Sequence, residues 1–134
     1  MASEGRYGGV HKGNKTDSGL YPVQDTSNDA KLDSVELLRK FQGGGEHGPH
    51  AVLLAPDGKS LYIVAGNATR VPETASSIMK GIWGEDNLLP RMVDGSGFMA
   101  DERAPGGFIC RVSPDGKQCE LFAVGFRHPF ASAF

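Results

Sequence analysis

Residues 51–65 read Ala-Val-Leu-Leu-Ala-Pro-Asp-Gly-Lys-Ser-Leu-Tyr-Ile-Val-Ala, so two apolar runs, 51–55 and 61–65, flank the turn Pro56-Asp57-Gly58-Lys59. Proline presets the first dihedral angle of a turn, and glycine accepts the positive φ that the turn requires. The stretch therefore predicts a β-hairpin. The same tetrapeptide returns at 114–117, between apolar runs at 108–112 and 119–124, and predicts a second hairpin.

The repeated hairpin predicts an all-β fold made of repeated units. A β-propeller is favoured over a sandwich, because the interval between the two turns accommodates one four-stranded blade and a loop. The 19 glycines and 8 prolines of this 134-residue chain agree with many short elements and argue against a helical bundle. We expect a β-propeller fragment of about two four-stranded antiparallel blades, with a long irregular insertion.

The expected organisation places a first blade at 15–66, the insertion at 67–107 and the next, truncated blade at 108–134. Within the first blade, residues 19–23 predict a short strand. Residues 35–41 predict either another strand or one or two helical turns. Within the insertion, only 76–82 has the pattern of a short helix.

Charge and hydropathy exclude several classes of protein. With 14 Lys and Arg against 16 Asp and Glu, the net charge is −2, and a nucleic-acid-binding face is not expected. No run approaches the roughly 20 apolar residues of a transmembrane helix, and the first residues lack the apolar core of a signal peptide. The apolar end at 130–134 suggests a piece of a longer protein, which alone would aggregate or fold partly and be inactive.

An acidic loop at 25–36 has the spacing of a twelve-residue calcium loop. Oxygen-bearing side chains occupy positions 1, 3, 5, 9 and 12, and apolar Leu32 occupies position 8. Ala30 stands where glycine normally permits the sharp turn. The alternative is a solvated acidic turn. The candidate calcium ligands are Asp25, Ser27, Asp29, Lys31, Asp33 and Glu36.

A glycine-rich segment with two histidines, Gly43 to His50, directly precedes the first predicted hairpin. Glycines let a backbone approach a ligand closely, and a histidine can act as a base near neutral pH. From the residues alone, either His47 or His50 could serve, and both could equally be loop histidines that only form hydrogen bonds. Arg127 could clamp a carboxylate or phosphate, although a surface arginine is the simpler interpretation.

Two cysteines, Cys110 and Cys119, flank the second Pro-Asp-Gly turn. A cross-strand disulfide requires that the register place them opposite each other. Two semi-buried free thiols are the alternative. Their spacing is not that of a haem-attachment motif or a zinc knuckle.

Several segments together resemble a known family: residues 45–62, 66–67, 83–91, 104–108 and 125–127. In this order they resemble the membrane-bound dehydrogenase domain of planctomycete-type bacteria. That domain is similar to the glucose/sorbosone dehydrogenase family of soluble quinoproteins. The resemblance covers the chain from about Tyr7 to Phe134.

The resemblance implies a six-bladed propeller, completed by further blades of the parent chain, that uses pyrroloquinoline quinone (PQQ) to oxidise a sugar or an alcohol. By its distance before the Pro-Asp-Gly turn, His47 matches the family's catalytic base, and Glu46 matches the acidic residue before it. Arg127 matches the cofactor-clamping arginine, and His128 replaces the asparagine that follows that arginine in the family. A periplasmic or extracytoplasmic location is implied too, with a cytochrome c as one electron acceptor.

A second hypothesis comes from another class of protein. The chain would belong to a non-catalytic, calcium-stabilised β-propeller that binds carbohydrate or protein partners. The replacement of the family's asparagine by His128 favours this alternative.

Overall fold

The computed structural model describes residues 18–72, 76–77 and 106–134. This part of the chain is all β, with no helix, as the repeated hairpin predicts. Its strands are β1 (Gly19–Leu20), β2 (Val23–Gln24), β3 (Ser34–Val35), β4 (Arg39–Lys40), β5 (Pro49–Leu54), β6 (Leu61–Ala65), β7 (Ser76–Ser77), β8 (Gly107–Val112) and β9 (Cys119–Phe126).

Four antiparallel strands form the main sheet, in the order β5-β6-β8-β9, and the short β7 adds to β9 in parallel. β5 and β6 form the first predicted hairpin, and β8 and β9 form the second. Both hairpin predictions are therefore confirmed. The sheet is open, with β5 at one edge and β7 at the other.

The two Pro-Asp-Gly turns fold alike. In each, the glycine amide donates to the carbonyl three residues earlier, from Gly58 to Ala55 and from Gly116 to Ser113, at 2.8 Å in both cases. The two glycines have φ of 68° and 72°, which L-residues rarely adopt. The identical tetrapeptide thus encodes the same local geometry at both places.

The two hairpins join in one sheet, because β6 pairs with β8 from Leu61↔Val112 to Ala65↔Phe108. The sequence analysis assigned them to successive blades. The difference arises because nothing local to either hairpin specifies which strand edge the chain meets after the intervening segment. A single four-stranded antiparallel sheet is shown here, and the propeller remains a prediction.

The segments before the first hairpin form two small sheets, β1 with β4 and β2 with β3. Extended strands at 34–35 and 39–40 replace the helical turns that were the alternative for 35–41. Leu20 and Phe41 pack into one core with residues of the main sheet, including Ile63, Phe108 and Leu121. Leu20 of β1 and Phe41, which follows β4, therefore cover part of one face of the larger sheet.

Within the insertion, Ser76–Ser77 forms β7 where the sequence predicted the start of a short helix. Extended pairing with Glu120 and Leu121 outweighs the weak local helical pattern at these two residues. The rest of the predicted helix and most of the insertion lie outside the described residues. In the part of the chain that is described, no helix has the length and apolar character needed to cross a bilayer.

The cross-strand pair Leu54 and Leu61 gives a matched test of core burial. Leu61 is 1% exposed in the core and Leu54 is 52% exposed. We expect Leu61→Ala to lower the free energy of unfolding by about 2–5 kcal/mol. Leu54→Ala should lower it by about 1 kcal/mol or less. Urea denaturation of both variants is the measurement, and equal losses would contradict the assigned core.

Candidate functional site

Antiparallel pairing brings three chain segments together at one end of the main sheet. The start of β5, the end of β6 and the end of β9 meet there. These segments carry His47 and His50, then Asn67, and then Arg127 and His128. The site is thus assembled from residues that are distant in sequence. His47 and His128 are 81 positions apart in the chain, and their rings are in contact.

His47 is fixed at the centre of this end of the sheet. Its side chain is buried, with the residue only 3% exposed. The His47 Nδ1 atom lies 2.5 Å from Asn67 Oδ1. The His47 carbonyl accepts a hydrogen bond from the Ala68 amide at 3.0 Å. Both backbone and ring are therefore held by the turn that follows β6.

The close approach of the two segments depends on Gly66. A Cβ atom at this position would lie 2.5 Å from the His47 carbonyl oxygen, which is inside van der Waals contact. The Gly66 amide also donates to the Gly48 carbonyl at 2.9 Å. Glycine at 66 therefore lets Asn67 reach the imidazole.

His128 packs its ring on His47. The ring centroids are 4.3 Å apart and the planes differ by 24°, a stacked arrangement. The His50 ring also contacts the His128 ring, with 4.6 Å between their centroids. The Phe130 ring centroid lies 5.4 Å from that of His50. The four rings form a continuous aromatic cluster, which we call the histidine cluster (His47, His50, His128 and Phe130).

The Nε2 atom of His128 is buried and has no hydrogen-bond partner among the described residues. A buried polar atom without a partner is costly, and it is rare in folded proteins. In a site lined by aromatic rings, such an atom is a candidate contact for a polar ligand atom. The resemblance made His128, with Arg127, a candidate cofactor-binding residue at the position where the family has asparagine.

Glu46 and Arg127 occupy different environments from His47. Glu46 lies in the turn before β5 and is exposed. The resemblance made Glu46 a catalytic candidate as the acidic residue before the base, whereas the side chain that accepts the hydrogen bond at His47 Nδ1 is that of Asn67. Arg127 is exposed, and its carbonyl accepts the Asn67 amide at 2.9 Å. The main chain of Arg127 therefore lies beside the histidine cluster.

The arrangement prepares His47 for proton transfer. Because the Asn67 Oδ1 atom can only accept, its contact places a hydrogen on His47 Nδ1, and in the neutral ring Nε2 then carries the lone pair. An imidazole held in this tautomer can accept a proton at Nε2. The stacked rings exclude water from one side of it.

Asn67 is the functional residue that sequence reasoning did not single out. It forms part of the Gly66-Asn67 pair quoted for the resemblance, but no role was attached to it. The available signal is that this pair directly follows an apolar strand. Polar residues that follow buried strands are often placed at a functional edge of the sheet.

The acidic loop at 25–36 uses its carboxylates to fold itself. Asp25 accepts backbone hydrogen bonds from Asp29 and Ala30, the latter at 2.7 Å. Asp33 accepts the Thr26 amide at 2.8 Å and the Thr26 hydroxyl. The hydrogen bond from the Thr26 amide makes the largest contribution to lowering the pKa of Asp33 below its usual value, and the hydrogen bond from the Thr26 hydroxyl lowers it further.

Other candidate calcium ligands behave similarly. Asp29 accepts the Lys31 amide and lies 3.6 Å from the Lys31 ammonium, while Ser27 donates to Asp25. Among residues 18–72, 76–77 and 106–134, no group of three or more His, Cys, Asp or Glu is arranged to hold a metal ion. The calcium site at 25–36 therefore stays a prediction.

The turn in this loop requires unusual backbone angles. Asn28 has φ of 59° and Ala30 has φ of 67°. Asparagine adopts this left-handed region readily, whereas alanine is strained there. Ala30 stands where a calcium loop would have glycine, and it adopts the positive φ that glycine would supply. The loop therefore makes the sharp turn without glycine.

Comparisons with protein-family models, with curated proteins and with known solved structures found no match for this chain.

Acid titration tests the role of Asp33. Because its pKa is lowered in the folded state, its stabilisation is complete above the unfolded-state pKa of about 3.9 and is lost as the pH falls through the folded-state value. We expect Asp33→Asn to lower the melting temperature at pH 7 and to reduce the fall in stability below about pH 4.

The control is Asp57→Asn, which removes an exposed turn carboxylate that accepts the Lys59 amide. This variant should retain the acid dependence that Asp33 contributes. An unchanged acid profile in Asp33→Asn would contradict the assigned hydrogen bonds.

Proposed function

We propose that this chain belongs to a PQQ-dependent dehydrogenase of sugars or alcohols, in which His47 is the catalytic base. The observation that carries the proposal is the buried His47 ring, held by Asn67 and stacked on His128. It is the residue that the family resemblance selects. Its surroundings match the needs of a general base: a fixed ring, a defined tautomer and limited access of water.

The residues of the histidine cluster fit a planar, negatively charged cofactor. Flat rings offer stacking surfaces, and the buried His128 Nε2 needs a polar partner. Arg127, whose main chain lies beside the cluster, is the candidate counter-charge for a carboxylate. PQQ is an aromatic orthoquinone with three carboxylates, and when bound it supplies a hydride acceptor.

The protein residues then have separate tasks. His47 accepts the proton of the substrate hydroxyl at Nε2, which promotes loss of hydride from the adjacent carbon. Asn67 keeps a hydrogen on Nδ1, so that Nε2 is the nitrogen that accepts the proton. His128 stacks on the His47 ring, which fixes the plane of that ring and shields one of its faces from water. Arg127 balances negative charge.

Calcium has no step in this mechanism. The carboxylates of residues 25–36 are engaged with amides and hydroxyls of the same loop. A periplasmic location and a cytochrome c acceptor remain part of the proposal through the family resemblance alone.

A non-catalytic binding module is the second candidate. It is favoured by exposed aromatic residues beside Tyr62 of β6, whose ring contacts Phe122 of β9 and Phe134 of the segment after β9 edge-on, at 5.3 and 5.1 Å. Phe122 and Phe134 are 45% and 70% exposed. Aromatic faces of this kind can bind sugar rings or protein partners.

Variants of the full protein test the catalytic proposal by dye-linked oxidation of sugars and alcohols in the presence of PQQ. His47→Ala should lower kcat by about 10²–10⁴, the contribution expected of a general base. Asn67→Ala should lower kcat by a smaller factor, because the base remains but its tautomer is no longer fixed. Equilibrium binding of PQQ, measured for each variant, separates loss of the base from loss of the cofactor.

The matched control is Glu46→Gln. Because Asn67 occupies the hydrogen bond at Nδ1, this variant should retain most of the activity. A loss of threefold or less in His47→Ala would refute the base. Failure of the wild-type protein to bind PQQ, with retained binding of a carbohydrate, would favour the binding module.

A further inference from the structure

The two hairpins of the main sheet close with the same tetrapeptide, Pro-Asp-Gly-Lys, so each turn contains an Asp-Gly pair. An aspartate followed by glycine rearranges to isoaspartate more readily than other pairs, because glycine has no side chain to hinder the ring that forms. Asp57-Gly58 and Asp115-Gly116 share the residues that set their intrinsic reactivity. A difference between them in the folded chain therefore comes from the tertiary structure.

The first turn, residues 56–59, is exposed along its whole length. A Cβ atom at Gly58 would meet no atom within 4 Å. Among the described residues, the Asp57 side chain makes a single hydrogen bond, from the Lys59 amide to Oδ1 at 3.0 Å. These interactions are local to the hairpin, so the turn can open without disturbing the core.

The second turn, residues 114–117, is packed and tied to a distant strand. Gly116 is buried, and a Cβ atom there would lie 2.8 Å from both the Cβ atom and the carbonyl oxygen of Leu38. The guanidinium of Arg39, in β4, donates from Nη1 to the carbonyls of Gly116 and Lys117, at 3.0 and 3.2 Å. Opening this turn would break these contacts, so its closed form is favoured.

The Asp115 carboxylate is also held by more groups than that of Asp57. Its Oδ1 atom accepts the Ser113 hydroxyl at 2.5 Å and the Lys117 amide at 3.1 Å. The hydrogen bond from the Ser113 hydroxyl makes the largest contribution to lowering the pKa of Asp115, followed by that from the Lys117 amide. The first turn has Ala55 at the position of Ser113 and so lacks this hydroxyl. Since the rearrangement consumes the protonated carboxyl, a bound carboxylate reacts slowly.

No disulfide reinforces the second hairpin. Cys110 and Cys119 are both free and buried. The register pairs Cys110 with Leu121 and Cys119 with Val112, so the two cysteines are not directly opposite each other. The second turn is therefore held by packing and hydrogen bonds, which single substitutions can remove.

We propose that Asp57-Gly58 is a site of spontaneous isoaspartate formation in the folded protein, and that packing of the second turn protects the identical pair Asp115-Gly116. This modification is independent of the dehydrogenase chemistry proposed for the histidine cluster.

The reaction balances with water as its only co-reactant. The Gly58 amide nitrogen bonds to the Asp57 Cγ atom, and the carboxyl hydroxyl group leaves with the amide hydrogen as water, which closes a succinimide ring. Water then adds to one of the two ring carbonyls. Breaking the bond from nitrogen to Cγ restores aspartate. Breaking the bond from nitrogen to the main-chain carbonyl carbon leaves isoaspartate, with no net change in mass.

The product adds one methylene group to the main chain of the first turn. Two backbone hydrogen bonds close that turn, from the Gly58 amide to the Ala55 carbonyl and from the Ala55 amide to the Ser60 carbonyl. The longer main chain changes the spacing that these bonds require. The modification therefore weakens the closure of the β5-β6 hairpin.

Tryptic mapping of the full chain after incubation at near-neutral pH tests the proposal, since trypsin places each Asp-Gly pair on its own peptide. Asp57 lies on 41–59, Asp115 on 112–117, and Asp94, which is outside the described residues, on 92–103. Electron-transfer fragmentation distinguishes isoaspartate from aspartate. In the folded chain, isoaspartate should form at Asp57 about tenfold faster than at Asp115, the ratio expected when one or two additional hydrogen bonds must break.

The same chain unfolded in guanidinium chloride supplies the reference. There the rates at Asp57 and Asp115 should agree within about twofold, because only the shared tetrapeptide sets them. Equal rates in the folded chain, or a faster rate at Asp115, would overturn the proposal. So would a difference that persists on unfolding, or the absence of isoaspartate at Asp57 where the unfolded chain forms it.

Two variants identify what protects the second turn, with Asp57 in the same molecule as the internal standard. Ser113→Ala and Arg39→Gln should each raise the rate at Asp115, relative to that at Asp57, by about threefold or more. Arg70→Gln, which removes an exposed cation that does not contact either turn, should leave the ratio unchanged. An unchanged ratio in both test variants would refute the protection, and the wild-type comparison does not depend on the folding of any variant.

Discussion

The pairing of β6 with β8 is the constraint on which the rest of the structure depends. It joins two hairpins that are each specified locally, and it buries Ile63, Val64 and Ala65 completely. An isolated two-stranded hairpin is at best marginally stable in water, whereas four strands with a covered apolar face can be stable. Leu20 of β1 and Phe41, which follows β4, contribute to that cover.

The same pairing creates the candidate site. Once β5, β6, β8 and β9 are antiparallel neighbours, the start of β5 and the ends of β6 and β9 must lie at one end of the sheet. Gly66 and Gly107 let the backbones meet there, since a Cβ at Gly107 would lie 2.6 Å from the Ala65 carbonyl oxygen. Strand pairing and backbone packing therefore bring His47, Asn67 and His128 together, independently of the interactions between their side chains.

The opposite end of the sheet has a different chemistry because its two turns have different neighbours. A Cβ at Gly58 would meet nothing within 4 Å, whereas one at Gly116 would lie 2.8 Å from Leu38. The second turn is also held by Arg39. The same four residues thus form an exposed turn in one hairpin and a packed turn beside two cysteines in the other.

The local sequence by itself determined the two hairpins, β5-β6 and β8-β9, because their strands and turns depend on neighbouring residues. Apolar runs flanking the Pro-Asp-Gly-Lys turns predicted both hairpins. The glycine-rich segment before the first hairpin made His47 and His50 candidates, and the family resemblance selected His47. Only the tertiary structure decided that the hairpins share one sheet, that Asn67 holds His47, and that the acidic carboxylates cap their own loop. The first two features depend on contacts between distant residues, and the interactions within a short segment carry no information about which distant segment it will meet. The third is local, but the spacing of the carboxylates suits a calcium loop and a self-capped turn equally.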